Sequence, residues 1–235
     1  MPKMIEIERK FLPVRKPYDI ERQAADAGCI RSRKLLQQRY LPLKGWRIRL
    51  RKRASTMSPA THHLVLKKDG VRIDVAIDAA MHDKLTGFCS PATVEQLDGG
   101  GVCERRKLRD PVDWVFRIRR SSHISGACPR HELTMKKPIT GASCHEPESQ
   151  ISQDDHDAIS AHCGPALRKR RVKIEHAGRI WELDSFINPE LDGLCLVEVE
   201  LPSEDARLVL PDWVGREVTT EREYRNAVIE KRLTA

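Results

Sequence analysis

Like charges stand two residues apart at several places in this 235-residue sequence. Glu6 and Glu8 are followed by Lys10, and Glu198 by Glu200. Arg47/Arg49, Arg117/Arg119 and Lys169/Arg171 repeat the spacing with positive charge, and Glu182/Asp184 with negative charge. Residues i and i+2 of a β-strand share a face, so each pair would present two like charges side by side. Apolar residues fill the alternate positions, as in Ile5/Ile7, Ile48/Leu50, Trp181/Leu183 and Val197/Val199. One such strand is an ordinary half-buried surface strand. Six of them, three acidic and three basic, fit a closed barrel with its charged faces inward and its apolar faces covered. A mixed-sign surface sheet is the other arrangement the pattern allows.

A lumen with that charge has to hold water, a cation and an anion. Arg and Lys rows match the oxygens of a polyphosphate, and Arg can bind them bidentately. Carboxylates repel phosphate unless they hold a hard divalent cation such as Mg²⁺ or Mn²⁺ that bridges to it. Such an ion neutralises charge on the phosphoryl oxygens and acidifies a bound water. No Ser–His or Cys–His nucleophile pair stands out, so attack by water is preferred to a covalent intermediate.

The elements that would position these groups are mostly strands. Period-two alternation predicts them over Ile5–Leu12, Leu35–Leu41, Trp46–Lys52, His63–Lys68, Trp114–Arg120, Glu132–Lys137, Leu167–Glu175, Arg179–Phe186 and Cys195–Leu201. Helices are expected over Asp19–Gly28, Asp78–Leu85, Gln153–His162 and near Glu221–Arg232, with loops at Ser90–Gly101, Ser125–Pro129 and Pro138–Ser143. The fold class expected is mainly β (α+β), a closed antiparallel tunnel of about eight or more strands with flanking helices.

An internal repeat runs through the first two thirds of the chain. Arg47-Ile48-Arg49 recurs as Arg117-Ile118-Arg119, and Leu64-Val65-Leu66-Lys67-Lys68 as Leu133-Thr134-Met135-Lys136-Lys137. His82-Asp83 followed by Cys89 recurs as His156-Asp157 followed by Cys163. Three landmarks in one order argue for a duplicated strand–strand–helix unit. The expectation is a single domain over 1–235, with a duplication or insert around 70–110 that joins the copies.

Composition agrees with a folded protein that meets an anion. Hydrophobic residues make up 40% and charged residues 32%, and the formal net charge is +8. No apolar run is long enough to span a bilayer, and Met-Pro-Lys-Met-Ile-Glu has no signal-peptide core, so no membrane partner is expected. Seven cysteines without a Cys-x-x-Cys pair point to reduced thiols in a cytoplasmic protein. The nine histidines lack ligand spacing and read as surface or structural groups. Trp46, Trp114, Trp181 and Trp213 read as packing anchors on the barrel exterior.

Glu6-x-Glu8-x-Lys10 resembles the signature of the CYTH superfamily, the triphosphate tunnel metalloenzymes. That group includes bacterial tripolyphosphatases, thiamine triphosphatases, class IV adenylate cyclases and fungal messenger-RNA triphosphatases. The resemblance continues in order through Gln38-Arg39-Tyr40-Leu41, an Arg-x-Arg strand, Leu133-Thr134-Met135-Lys136, Gly141 and Glu146-x-Glu148. Lys169-x-Arg171, Trp181-Glu182-Leu183-Asp184, Val197-Glu198-Val199-Glu200 and the closing Val218-Thr219 … Arg222-x-Tyr224-x-Asn226 follow. It covers roughly the first 50 residues and most of 114–232. It departs from the small bacterial members in carrying two Arg-x-Arg strands and two Leu-x-x-Lys strands where they have one of each.

The resemblance implies an eight-stranded antiparallel tunnel whose carboxylates bind metal and whose cations bind a triphosphate. Glu6, Glu8, Glu198 and Glu200 are then the expected metal ligands, supported by Glu148 and Asp184, and with Lys10 they form the expected catalytic set. Arg47, Arg49, Lys67, Arg117, Arg119, Lys136, Lys169, Arg171 and Arg222 are the expected phosphate-binding residues. Which Arg pair lines the tunnel stays open, and both sets could line an enlarged barrel. The expected function is Mg²⁺- or Mn²⁺-dependent hydrolysis of tripolyphosphate or a small organic triphosphate. A class IV-type adenylate cyclase and a non-catalytic polyphosphate- or nucleic-acid-binding module are the alternatives. The partner expected is a small-molecule triphosphate or polyphosphate, with nucleic acid disfavoured and a homodimer allowed.

Overall fold

The computed structural model describes residues 5–55, 58–97, 101–126 and 128–233. In chain order its strands and helices are β1 (Ile5–Pro13), α1 (Pro17–Asp26), β2 (Ile30–Leu41), β3 (Arg47–Ala54), β4 (Thr61–Lys68), β5 (Val71–Ile77), α2 (Ala79–Thr86), β6 (Thr93–Leu97), β7 (Gly101–Lys107), β8 (Val115–His123), β9 (Arg130–Thr140), β10 (Ser143–His145), β11 (Glu148–Gln150), α3 (Gln153–Ser160), β12 (Leu167–His176), β13 (Arg179–Phe186), β14 (Cys195–Glu200), β15 (Val214–Glu217) and α4 (Asn226–Ile229). Every segment read as a strand from its alternation is one.

Eight strands close on themselves, each antiparallel to its neighbours, in the order β1-β14-β13-β12-β2-β8-β9-β10 and back to β1. Closure removes the free edges that an open sheet of this size would expose. The apolar residues of the staves mostly point outward, and most of them are covered, while Leu35 and Ile139 stay exposed. Outside β12–β14, the Ile20 and Ala24 face of α1 packs on Val172, Trp181, Leu183 and Val197, with Trp213 edge-on to Trp181. At one end Ile229 and Leu233 pack on Leu167, Phe186 and Leu196.

The remaining strands form a second antiparallel sheet, ordered β5-β4-β3-β7-β6. The chain leaves the barrel after Leu41 and returns at Phe116, and these two residues are direct partners on β2 and β8. The excursion therefore begins and ends at one point on the barrel. Pro42, at the exit, has no N–H with which to continue the ladder. One face of the second sheet (Ile48, Leu50, Leu64, Leu66, Ile73, Val75) shares a core with the outward face of β8 and β9 (Phe116, Ile118, Leu133, Met135). Met81 and Leu85 of α2 and Ile159 of α3 fill the space between them.

The two helices are built alike. The Asp78 carboxylate accepts from the Met81 amide, and the Ser152 hydroxyl oxygen from the Asp155 amide, each satisfying an otherwise unpaired N–H of the first turn. His82 then packs tilted against His62, and His156 against His131, with ring centroids 4.8 Å apart in both pairs. These four histidines tie helix to sheet. Trp46 and Trp114 are buried in the shared core and Trp181 and Trp213 under α1; of the four, Trp114 also reaches the cavity wall.

Three expectations are corrected. Arg47, Arg49 and Lys67 lie on β3 and β4 in the second sheet, because β2 takes β8 as its neighbour; they are not staves of an enlarged barrel. The expected Ser90–Gly101 loop is partly strand, since β6 occupies Thr93–Leu97; positions 98–100 of it, like 127 in the Ser125–Pro129 loop, lie outside the described residues. The expected last helix is broken into 3-10 turns at Arg222–Tyr224 and Glu230–Arg232 around the short α4, with Arg225 extended at φ −77°, ψ 129°.

Candidate active site

The closed barrel surrounds a cavity of about 870 Å³. Its acidic side is built by adjacent staves. β1 contributes Glu6 and Glu8, β14 contributes Glu198 and Glu200, β13 contributes Glu182, and Glu146 follows β10. The basic side is contributed by Arg171 and Lys173 of β12, Lys34 of β2, Arg117 and Arg119 of β8 and Lys136 of β9. Arg222 and Arg225 of the C-terminal segment line the cavity as well.

The two sides reach across to each other. Lys136 Nζ lies 2.8 Å from Glu6 and 2.5 Å from Glu146. Arg117 is 3.0 Å from Glu146 and 3.6 Å from Glu148, and donates to Thr134 Oγ1 at 3.0 Å. Arg119 holds Glu132 at 2.7 Å and Glu148 at 3.4 Å. Arg171 is 2.7 Å from Glu198 and also ion-paired with Glu182, while Lys10 bridges Glu8 at 2.7 Å and Glu198.

Burial and these contacts set the protonation states. Burial opposes charge on Lys10, yet the Glu198 and Glu8 carboxylates outweigh it and raise its pKa. Glu198 is likewise opposed by burial but is held well below the ordinary carboxylate range by Lys10, Lys169 and Arg171. Glu8 moves the other way: burial first, then the Glu198 charge, push it up, and Lys10 only partly compensates. Glu6, despite burial, is lowered by Lys136. Burial pushes the Tyr40 phenol up to about 12, so it stays an O–H donor at the cavity wall, here to Gln38 Oε1 at 3.3 Å.

The donor set suits a hard divalent cation. Glu8 is the direct cross-strand partner of Glu200, and Glu182 of Glu198. Like charges placed so destabilise a sheet unless a cation intervenes. Oxygens of Glu6 and Glu146 and the Cys144 sulfur also lie within 4.8 Å of one another. Burial above all raises the Cys144 thiol to about 12, so it stays protonated and donates to Glu6 at 3.5 Å. The hard oxygens are left as the usable ligands.

Several expected site residues fall elsewhere. Asp184 and Lys169 are fully buried, ion-paired with each other and outside the cavity wall. Asp184 also accepts from Arg171 Nε and NH2, both at 2.6 Å, so it orients that guanidinium. Arg47, Arg49 and Lys67 do not line the cavity. Glu6, Glu8, Lys10, Arg117, Arg119, Lys136, Glu148, Arg171, Glu198, Glu200 and Arg222 do. Lys34, Glu132, Glu146, Lys173 and Glu182 join them without having been singled out as site residues. Most share strand parity with neighbours that were, and that was the available signal; Glu146 sits in the turn between two three-residue strands.

No family model matches the chain. An inorganic triphosphatase of Acetivibrio thermocellus is 39% identical over 101 residues, which are 42% of this chain and 64% of the relative. An inorganic triphosphatase of Nitrosomonas europaea is 37% identical over 97 residues, 38% of this chain and 61% of the relative. The chain thus spans less than two thirds of the length of these curated relatives. A solved putative adenylyl cyclase of Hippeastrum, described as revealing a dominant triphosphatase activity, aligns with 85% of this chain and 80% of its own, at 12% identity and a TM-score of 0.36.

Proposed function

We propose that this chain, whose closed barrel is of the CYTH triphosphate-tunnel type, hydrolyses inorganic tripolyphosphate or a small organic triphosphate inside that barrel. The observation that carries the reading is the division of the lumen into an acidic and a basic side across one cavity. A site for an anion alone gains nothing from buried glutamates, and a site for a cation alone gains nothing from buried arginines. The relatives named inorganic triphosphatase support the same substrate class.

Glu6, Glu8, Glu146, Glu198 and Glu200 would hold a divalent cation, Mg²⁺ or Mn²⁺. When bound, such an ion supplies charge neutralisation at phosphoryl oxygens and a more acidic water. Arg117, Arg119, Lys136 and Arg171 grip the phosphates, with Arg222 at the end closed by the C-terminal segment. Lys10 stays cationic between Glu8 and Glu198 and fixes both. Asp184 is assigned to positioning Arg171 rather than to the metal, because Lys169 and Arg171 already occupy its oxygens. The seven free cysteines fit a reducing, cytoplasmic setting, and no helix among the described residues is long and apolar enough to cross a membrane.

The test is to incubate the purified protein with tripolyphosphate, ATP or thiamine triphosphate and Mg²⁺ or Mn²⁺, and to resolve the products. Orthophosphate release that stops with chelator is expected. No release from any of the three would sink the proposal, and cyclic AMP from ATP would replace it with a cyclase.

A further inference from the structure

The second sheet turns its apolar face to the shared core and its other face to solvent. That outer face is rich in cations, eight Arg and Lys on β3, β4, β5 and β7, with Val65, Ala76, Cys103, Thr61, His63 and Asp74 between them. Arg47 stands directly opposite Lys67, Arg49 opposite Lys107, Arg51 opposite Arg105, and Lys67 opposite Arg72. Cross-strand partners of like charge destabilise a sheet, so four such pairs on one face ask for a ligand of opposite sign. The acids available are few: Asp74 holds Arg51 at 2.9 Å and Arg72 at 3.1 Å, and Glu95 pairs with Arg105. Arg47, Arg49, Arg53, Lys67 and Lys107 form no ion pair among the described residues, and all but the half-buried Lys67 are exposed at the surface.

We propose that this outer face of β3, β4, β5 and β7 is a docking surface for a linear inorganic polyphosphate, separate from the tunnel. Strand geometry spaces the cations roughly 6.7 Å apart along a strand and about 4.8 Å between strands, so a chain of phosphates laid along β3 and β7 or across the Arg47–Lys67–Arg72 row meets successive cations. The face has no Phe, Tyr or Trp and no Asn or Gln; His63 is its one ring among the described residues. A surface without stacking rings or amides reads phosphate and not bases, which favours a ligand made of phosphate alone over single-stranded nucleic acid. The residues also repeat the tunnel's own grip, since Arg47-Ile48-Arg49 and Lys67 recur as Arg117-Ile118-Arg119 and Lys136. The inference stands on this face and does not depend on the tunnel's activity.

The experiment measures binding of fluorescent long-chain polyphosphate to the full chain in chelator, across a salt series, for three proteins. Relative to the unaltered protein, Arg49→Gln/Lys67→Gln/Lys107→Gln should bind at least tenfold more weakly. Its log-affinity against log-salt slope should be shallower by about 2, because each phosphate neutralised by a cation adds about 0.7 to that slope. Its melting temperature should not fall, because like-charge neighbours have been removed, and its tripolyphosphate turnover should be unchanged. Lys136→Gln, in the tunnel, should keep long-chain affinity within twofold. Unchanged affinity in the triple variant, or loss in Lys136→Gln instead, overturns the proposal. So does displacement of polyphosphate by single-stranded RNA at a lower phosphate concentration, which would make nucleic acid the occupant. Absence of turnover with intact, face-dependent binding would leave this inference standing and count against the tunnel reading alone.

Discussion

Glu8 lies directly opposite Glu200 across the β1–β14 ladder, and Lys10, two residues further on, lies opposite Glu198. One strand pair thus sets an acid facing an acid beside a base facing an acid. The first pair carries no cation of its own, and its Glu8 shares the Lys10 of the second at 2.7 Å.

The first prediction follows from that asymmetry. Mg²⁺ or Mn²⁺ should raise the melting temperature of the protein, corresponding to about 2.7 kcal/mol at a hundredfold excess over Kd. Glu8→Gln should abolish most of that increment and lower triphosphate turnover on the order of a hundredfold. Differential scanning fluorimetry with and without metal checks it, and an equal metal shift in the variant would contradict it.

The second prediction separates the two Arg-x-Arg copies. Arg119→Gln should reduce kcat/KM for tripolyphosphate on the order of a hundredfold, by removing a charged group that grips phosphate. Arg47→Gln/Arg49→Gln should leave it within about twofold, because those side chains lie outside the cavity. Steady-state kinetics on the two variants decides it, and the reverse ranking would place the site in the wrong sheet.

The ambiguity between those copies marks where the sequence stops being informative. Alternation alone identified nine strands and put Glu6, Glu8, Arg117, Arg119, Glu198 and Glu200 on inward faces. Period-two patterning is a local property, however, and Arg47-Ile48-Arg49 has the same pattern as Arg117-Ile118-Arg119. The choice is made by the long-range pairing of β2 with β8, which no local pattern encodes. β10 and β11 were illegible for another reason: three residues are too few to show a period. Thr93–Leu97 failed because four of its five residues are exposed and its edge position imposes no apolar alternation. Lys169 and Asp184 share strand parity with Arg171 and Glu182, which line the cavity, yet both are fully buried beside their cross-strand partners Phe186 and Leu196.

A third prediction concerns that buried pair. Lys169 is fully buried, and burial lowers its pKa despite Asp184. Lys169→Ala should destabilise the fold by about 3 kcal/mol, since it leaves a buried carboxylate with a cavity beside it. Lys169→Met should cost less, because Asp184 keeps Arg171 and the volume is filled. Urea denaturation checks the ranking; equal midpoints for Ala and the unaltered protein would refute it.

The paired histidines carry a fourth prediction. Burial depresses His82, with His62 and Lys52 acting in the same direction and Asp83 against; burial likewise depresses His131, with His156 and Arg120 in support and Asp157 against. A group depressed in the folded state takes up its proton more readily when unfolded. Their contribution to stability is therefore full above about pH 6.5 and is lost as pH falls through the lower folded values. The urea midpoint should drop between about pH 7.5 and about pH 5.5, and His82→Phe/His131→Phe should flatten that drop. A double variant with the same pH dependence would exclude these rings as the source.

The ion pairs that bridge the lumen have a thermodynamic consequence. Lys136 is held by Glu6 and Glu146, and Arg171 by Glu198 and Glu182, so neither ligand can enter without dismantling ion pairs that the other must also break. Whichever arrives first bears that cost for both: a cation that takes the glutamates releases ammonium and guanidinium groups, and a phosphate chain that takes those groups releases the glutamates. Metal and triphosphate should therefore each tighten the other's binding in the lumen by one common factor, as reciprocity between linked equilibria requires. On the proposed function, the barrel is a joint receptor whose two ligands recruit each other.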